Sequence, residues 1–272
     1  MEFRTQVAIN EPPFLIEPCE EILFVGSCFA DAIGQRFRNE AFPVTANPYG
    51  VMYNPASILH TIQRFHASRT TAPSSLKTAF LTLGTNHVYR LKETGEIVDN
   101  CEKRPADLFQ EEELSVDQCA DYLRQAIAVL RTVSPDVQIV LTVSPIRYRK
   151  YGYHESQLSK ATLLLAANAV CRGGAATYFP AYEIVMDELR DYRFYALDML
   201  HPSAQAVDYI WERLVDSYFS PAAKKYLAEW RPLKQALAHK AFNSESLEYR
   251  SFHEHTLSKI AELKQKYPHI TI

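Results

Sequence analysis

A three-layer α/β sandwich around a mostly parallel sheet is the fold class this sequence predicts, and three observations predict it. Short apolar runs rich in β-branched and aromatic residues alternate with segments of helical periodicity. The alternation is not interrupted by a Pro/Gly/Ser-rich linker or an internal repeat. The 272 residues, 47% hydrophobic and 22% charged, suffice for one α/β domain with a real core. Strands that alternate with helices bury both sheet faces under helices.

The first apolar run is Glu21-Ile22-Leu23-Phe24-Val25, and from about Ala30 the spacing of Ala30, Ile33 and Phe37 becomes helical. Phe42 to Thr45 is a second, short strand. It leads into the turn-rich Ala46-Asn47-Pro48-Tyr49-Gly50, and Asn54-Pro55 opens a helix through Ser57, Ile58, Ile62 and Phe65. The polar stretch Ser68 to Ser75 reads as a loop. Ala79 to Leu83 is the next buried strand, halted by Gly84-Thr85-Asn86, and a hairpin of His87–Leu91 with Glu96–Asn100 follows around Thr94-Gly95.

Val116 to Arg131 carries the clearest amphipathic pattern, with Cys119, Tyr122, Leu123, Ala126, Ile127 and Leu130 on one face. Val137 to Val143 is another core strand. A helix over about Gln157–Val170 stops at Arg172-Gly173-Gly174. Thr177 to Pro180 reads as a short strand and Ala206 to Phe219 as a helix. Pro221 to Ile272 is rich in Lys and Glu and poor in strand residues, so two or three further helices are expected there. The division is 1–220 for the sheet domain and 221–272 for a helical extension packed on it.

Composition excludes several roles. A net charge of −3 argues against nucleic-acid or membrane-surface binding through bulk electrostatics. No apolar stretch approaches a membrane span. The start Met-Glu-Phe-Arg-Thr lacks the basic end and hydrophobic run of a secretory leader, so a cytoplasmic location is expected. Five scattered cysteines without C-x-x-C spacing fit reduced thiols rather than a disulfide framework or zinc site. No P-loop, dinucleotide-binding glycine fingerprint or metal-ligand cluster is present, so no cofactor is expected.

The chemistry centres on Gly26-Ser27-Cys28-Phe29-Ala30 at the first strand-to-helix junction. An open α/β sheet keeps its ligand crevice at such strand ends, beside the free N–H groups of a helix start. On these residues alone, Ser27 reads first as a helix cap. To be a nucleophile it needs a base, and the base needs an orienting acid. Six of the nine histidines (His60, His66, His239, His253, His255 and His269) read as surface residues, while His87 and His154 lie in loops. His201 stands apart, because Asp198-Met199-Leu200-His201 places an acid three residues before it, just ahead of a helix. Cys28 also lies beside the helix start, where a thiol pKa can fall. As the next residue along it points elsewhere, and free cysteine usually fills apolar space, so Ser27 is the nucleophile expected. Arg147, Arg149 and Lys150 follow a strand end on the same sheet edge. They read equally well as an anion-binding group or a solvated basic loop.

Together these residues resemble the GSCFA family, a group related to the SGNH (GDSL-like) hydrolases. The resemblance extends in order through Asn47–Pro55, Leu83-Gly84-Thr85, Thr142–Arg147, Tyr178–Glu183 and Arg190–Tyr195, and ends at Asp198–Ser203. It implies an SGNH-like sandwich with flavodoxin-like strand order and a serine esterase removing an O-acyl group, such as acetyl from a carbohydrate. Ser27 would be the nucleophile, His201 the base and Asp198 its orienting acid. The N–H groups of Ser27 and Gly50 and the Asn86 amide would hold the oxyanion, with Asn100 or His87 as substitutes for Asn86. One such donor is worth about 3–4 kcal/mol in the transition state. The expected partner is a small-molecule or carbohydrate ester. An O-acyltransferase using the same triad and a non-catalytic glycan- or acyl-binding protein are the alternatives.

Overall fold

The computed structural model describes residues 4–68, 76–239 and 246–272. Five parallel strands form the main sheet: β1 (Glu21–Gly26), β2 (Val44–Ala46), β3 (Leu76–Leu83), β7 (Gln138–Val143) and β8 (Thr177–Tyr178). Their spatial order is β2-β1-β3-β7-β8, the flavodoxin-like arrangement. Between β3 and β7 a separate antiparallel sheet is inserted, ordered β5-β4-β6, from β4 (His87–Leu91), β5 (Ile97–Val98) and β6 (Phe109–Glu113). The hairpin β4–β5 falls where the sequence places it. β6 does not read as a strand, because Phe-Gln-Glu-Glu-Glu has one apolar residue. It is held by its register with β4 and by the Arg90–Glu112 ion pair across the two strands.

Strand side chains alternate between two cores. Ile22 and Phe24 of β1, Phe80 of β3 and Val140 of β7 enter one core, while Leu23, Val25, Ala79, Leu81, Ile139 and Leu141 enter the other. β1, β3 and β7 are therefore apolar on both faces, which is why each reads as a continuous run. Helices α2 (Pro55–Ser68), α3 (Val116–Val133) and α4 (Tyr153–Arg172) cover the second core. The first is covered by α1 (Cys28–Asn39), the short α5 (Ala181–Glu183) with a π-helical turn over Ile184–Glu188, and α6 (Ala204–Tyr218). Helix α3 starts on a full capping box, in which Ser115 Oγ accepts from Gln118 N and the Gln118 side chain accepts from Ser115 N.

Two helices follow, α7 (Pro221–Ala238) and α8 (Leu247–Lys266). Tyr226, Trp230, Ile260 and Leu263 extend the first core. The Tyr226 hydroxyl donates to Glu40 O at 2.7 Å and Trp230 Nε1 donates to Asn39 O at 3.1 Å. Both satisfy carbonyls at the C-terminal end of α1 that the helix itself leaves open. The expected loop from Ser68 to Ser75 lies outside the described residues except for Ser68, which ends α2. Among the described residues no helix is long and apolar enough to cross a membrane.

Candidate active site

The site forms where the C-terminal ends of β1, β3 and β7 meet, beside the switch point between β1 and β3. Gly26 ends β1 at φ +144°, and a Cβ there would stand 2.1 Å from Thr82 O. Only glycine lets the chain turn this close to β3. Ser27 N then donates to Thr82 O at 3.1 Å and Thr82 Oγ1 at 3.0 Å. The Ser27 side chain is the N-cap of α1, accepting from Phe29 N at 3.3 Å and lying 3.3 Å from Thr82 Oγ1, with 1% of the residue exposed. Cys28 is therefore the first helical residue, two positions earlier than the apolar spacing suggests.

His201 arrives on a loop that Asp198 folds around itself. Asp198 Oδ1 accepts from Leu200 N at 2.9 Å and His201 N at 3.0 Å, an Asx-type turn in which Met199 takes a left-handed φ of +58°. Ala196 N donates to His201 O, and Ser203 N to Phe194 O, each at 2.8 Å. Arg147 clamps the loop from outside, its N and Nη1 donating at 3.0 Å to Leu200 O and Met199 O respectively.

Asp198 Oδ2 lies 2.6 Å from His201 Nδ1, and His201 Nε2 lies 3.3 Å from Cys28 Sγ. With Nδ1–H donating to the carboxylate, Nε2 is left as the acceptor facing the thiol. The three bonds to its own loop hold the Asp198 carboxyl down at about 2, the His201 N–H first, then Leu200 N–H, then the imidazole. Burial pushes the Cys28 thiol up from its ordinary value. The amides of Cys28 and Phe29 and the Lys160 ammonium oppose that rise, while Asp31 adds to it. At rest Cys28 is thus a neutral thiol with a base in contact. Buried Cys119, pushed to about 12, has no such neighbours.

The expected contact between Ser27 and His201 is absent among the described residues. The imidazole meets the following residue, because a capping serine turns its hydroxyl back over the helix start. One further expectation is also corrected. Gly50 N donates to Asn47 O at 2.9 Å and closes a turn, so it does not point at an oxyanion. Asn86 is 2% exposed, and its Nδ2 spends one of its two N–H groups on Leu114 O at 2.8 Å, in the loop before α3. Of the substitutes, Asn100 accepts from Glu102 N in an exposed turn, and His87 stacks on Tyr151 with ring centroids 3.9 Å apart. The backbone N–H of Cys28, first in α1, is one of the donors an α-helix leaves free at its start.

Arg147 lines the cavity of about 380 Å³ that holds Cys28 and His201, with Tyr53, Tyr148 and Lys150. Three residues that the sequence did not single out hold this architecture. Asn47, at φ +43°, accepts from Gly26 N at 2.9 Å through Oδ1. Thr82 anchors the Ser27 turn as described. Lys160 of α4 is 3% exposed, and its Nζ donates to Gly84 O at 2.7 Å and Ser144 O at 2.8 Å, joining the ends of β3 and β7. Asn47 could have been found from its place before Pro48 in a turn. Lys160 could not, since a lysine in a helix reads as solvent-facing. Among the described residues no group of three His, Cys, Asp or Glu side chains could hold a metal ion.

A comparison with curated proteins found no match. By structure, the chain is similar to a member of the lipolytic protein G-D-S-L family from Veillonella parvula DSM 2008. The two share 12% identity at a TM-score of 0.49, over 73% of this chain and 97% of that one. It is also similar to LAE5, an alpha/beta hydrolase enzyme from the metagenome of Lake Arreo, Spain (10% identity, TM-score 0.47, 76% and 98% covered). A third similar structure is a catalytic mutant of an acetylxylan esterase from Geobacillus stearothermophilus (11% identity, TM-score 0.45, 76% and 98% covered). The model of the GSCFA family matches residues 21–79 and 71–214, and that of the GSCFA domain protein C-terminal domain matches residues 230–272. Since these matches take in the turn at Gly26-Ser27-Cys28, the Asp198–His201 loop, the second half of α7 and all of α8, the chain belongs to the GSCFA family.

Proposed function

We propose that this protein is an acyl hydrolase in which Cys28 is the nucleophile, His201 the general base and Asp198 the acid that orients it. One observation carries the reading: a half-exposed imidazole, fixed at 2.6 Å by Asp198, places its other nitrogen 3.3 Å from the Cys28 sulfur. That is the nucleophile–base–orienter constellation of covalent acyl transfer. In the reaction, His201 Nε2 takes the thiol proton as Sγ attacks the carbonyl carbon of an ester. The charge developing on the carbonyl oxygen faces the free N–H at the start of α1. His201 returns the proton to the leaving alcohol, and the acyl group remains on sulfur as a thioester. Water, deprotonated by His201, attacks the thioester, releasing the acid and restoring the thiol. With a sugar hydroxyl in place of water the same groups would run acyl transfer. A small O-acyl ester, such as an acetyl ester of a carbohydrate, is the substrate class proposed.

The test is to trap the acyl-enzyme. The protein is mixed with p-nitrophenyl acetate, quenched in acid and fragmented for mass spectrometry across Ser27 and Cys28. An acetyl group on Cys28, removable by neutral hydroxylamine and absent after iodoacetamide treatment, is expected. Acetyl on Ser27 would move the nucleophile back by one residue. No adduct on folded protein would favour a non-catalytic binding role.

A further inference from the structure

Lys160 is a buried cation without a counter-ion. Its two hydrogen bonds go to neutral carbonyls, and among the described residues it has no ion-pair partner. An ammonium has three donors, so one N–H is left without a protein acceptor there. Burial disfavours an unpaired charge and lowers the Lys160 pKa to about 7. Cys28 is the ionisable group whose charge reaches it. That thiol is neutral at rest and supplies no counter-charge.

The lysine lies in the wall of a second cavity, of about 270 Å³, which shares Ile146 and Arg147 with the Cys28 cavity. Tyr153, Tyr182 and Tyr195 line it as well. The Arg147 guanidinium lies 4.3 Å from the Tyr153 ring centroid and 5.4 Å from that of Tyr195. The other charged groups at the rim are already paired, Arg190 with Asp187 and Asp191 with Arg193, each at 3.6 Å. The volume suits a small ring, below the roughly 300–1,000 Å³ of drug-sized sites.

We propose that this cavity is a subsite for a ring-bearing organic carboxylate, whose anionic group completes the donors of Lys160 and Arg147 while its ring lies among the tyrosines. It rests on the Cys28 reading only in making the carboxylate part of the substrate, an acylated acidic sugar being one example. The geometry then places a recognised anionic group one cavity away from the ester under attack.

Binding is measured on the full-length Cys28→Ala protein by ligand-observed NMR and calorimetry, with galacturonate and benzoate against neutral galactose and benzamide. The acids are expected to bind at least about tenfold more tightly than their neutral counterparts. Tyr153→Ala, at a half-exposed side chain, is expected to weaken them, and Lys160→Met to reduce the preference for charge. Equal binding of acid and neutral ligand, or full retention in Tyr153→Ala, would overturn the proposal even if Lys160→Met does not fold. Inorganic phosphate binding where neither carboxylate does would overturn it too. Cys28 is absent from this assay, so failure to trap an acyl-enzyme and failure to bind a carboxylate are separate results.

Discussion

Replacing Ser27 with alanine separates the two adjacent hydroxyl and thiol candidates, and the structure sets the size of the effect. Ser27 Oγ accepts from Phe29 N at the start of α1 and lies 3.3 Å from Thr82 Oγ1. Its loss removes an N-cap, worth about 1 kcal/mol. Thr82 Oγ1 keeps the N–H of residue 27 at 3.0 Å, so no second buried acceptor is stranded. In a chain of this size the cap lowers Tm by roughly 2–4 °C. Because His201 addresses Cys28, the rate of p-nitrophenyl acetate hydrolysis should fall by less than about tenfold, within the energy of one loosened helix turn. Cys28→Ala removes the proposed attacking atom, and a loss of about a millionfold is the precedent for deleting a triad nucleophile. Thermal denaturation and initial rates on the same preparations give both numbers. If Ser27→Ala lost as much rate as Cys28→Ala while its Tm stayed within a few degrees, the assignment of the thiol would fall.

Three further outcomes follow from particular contacts. Asp198→Asn should lower kcat by about 10²–10⁴, because the amide no longer holds the Nδ1–H tautomer or balances the imidazolium. Since Asp198 titrates near 2, any acid limb of the wild-type rate profile well above that pH belongs to another group, and moving it onto Asp198 by isotope-resolved NMR titration would contradict the geometry. Gly26→Ala puts a Cβ 2.1 Å from Thr82 O at φ +144° and should cost more than about 3 kcal/mol in urea, adding overpacking to backbone strain. Gly95→Ala, at φ +72° with open space around it, should cost only about 1 kcal/mol; equal losses would show that the close approach at Gly26 does not matter. For Lys160, the folded pKa of about 7 lies below the ordinary 10.5, so between these values the unfolded chain binds more protons and stability rises with pH. The slope approaches about 1.4 kcal/mol per pH unit at most. It should vanish in Lys160→Met, and an unchanged slope would place the titration elsewhere.

Much of the fold is legible because burial writes itself into composition. β1, β3 and β7 are apolar on both faces and so appear as unbroken runs, and α3 shows one apolar face because the other meets water. What the sequence hides is structure whose cause is distant. β6 is held by β4 rather than by its own residues, so Phe109 to Glu113 carries no strand pattern. Lys160 sits on the buried side of α4 because its ammonium ties Gly84 O to Ser144 O, carbonyls 76 and 16 residues away. Periodicity along one helix cannot report a partner on another strand.

The candidate site turns on a single residue of register, and the physical reason is local. Consecutive residues at a helix start point about 100° apart, so the position of the cap decides which side chain faces the crevice. Apolar spacing begins at Ala30, which leaves both Ser27 and Cys28 in an apparent turn and lets the more familiar nucleophile take the role. Cap chemistry says otherwise. Serine is among the best N-cap residues, and a cap at 27 makes Cys28 the first helical residue, with its sulfur beside the amides of Cys28 and Phe29. The same rule accounts for Asp198, whose carboxylate binds its own loop before it binds the imidazole. Capping residues are thus the better guide here to which of two neighbouring groups can react. Where a cap engages its hydroxyl with backbone N–H, the residue after it is the one presented to a base.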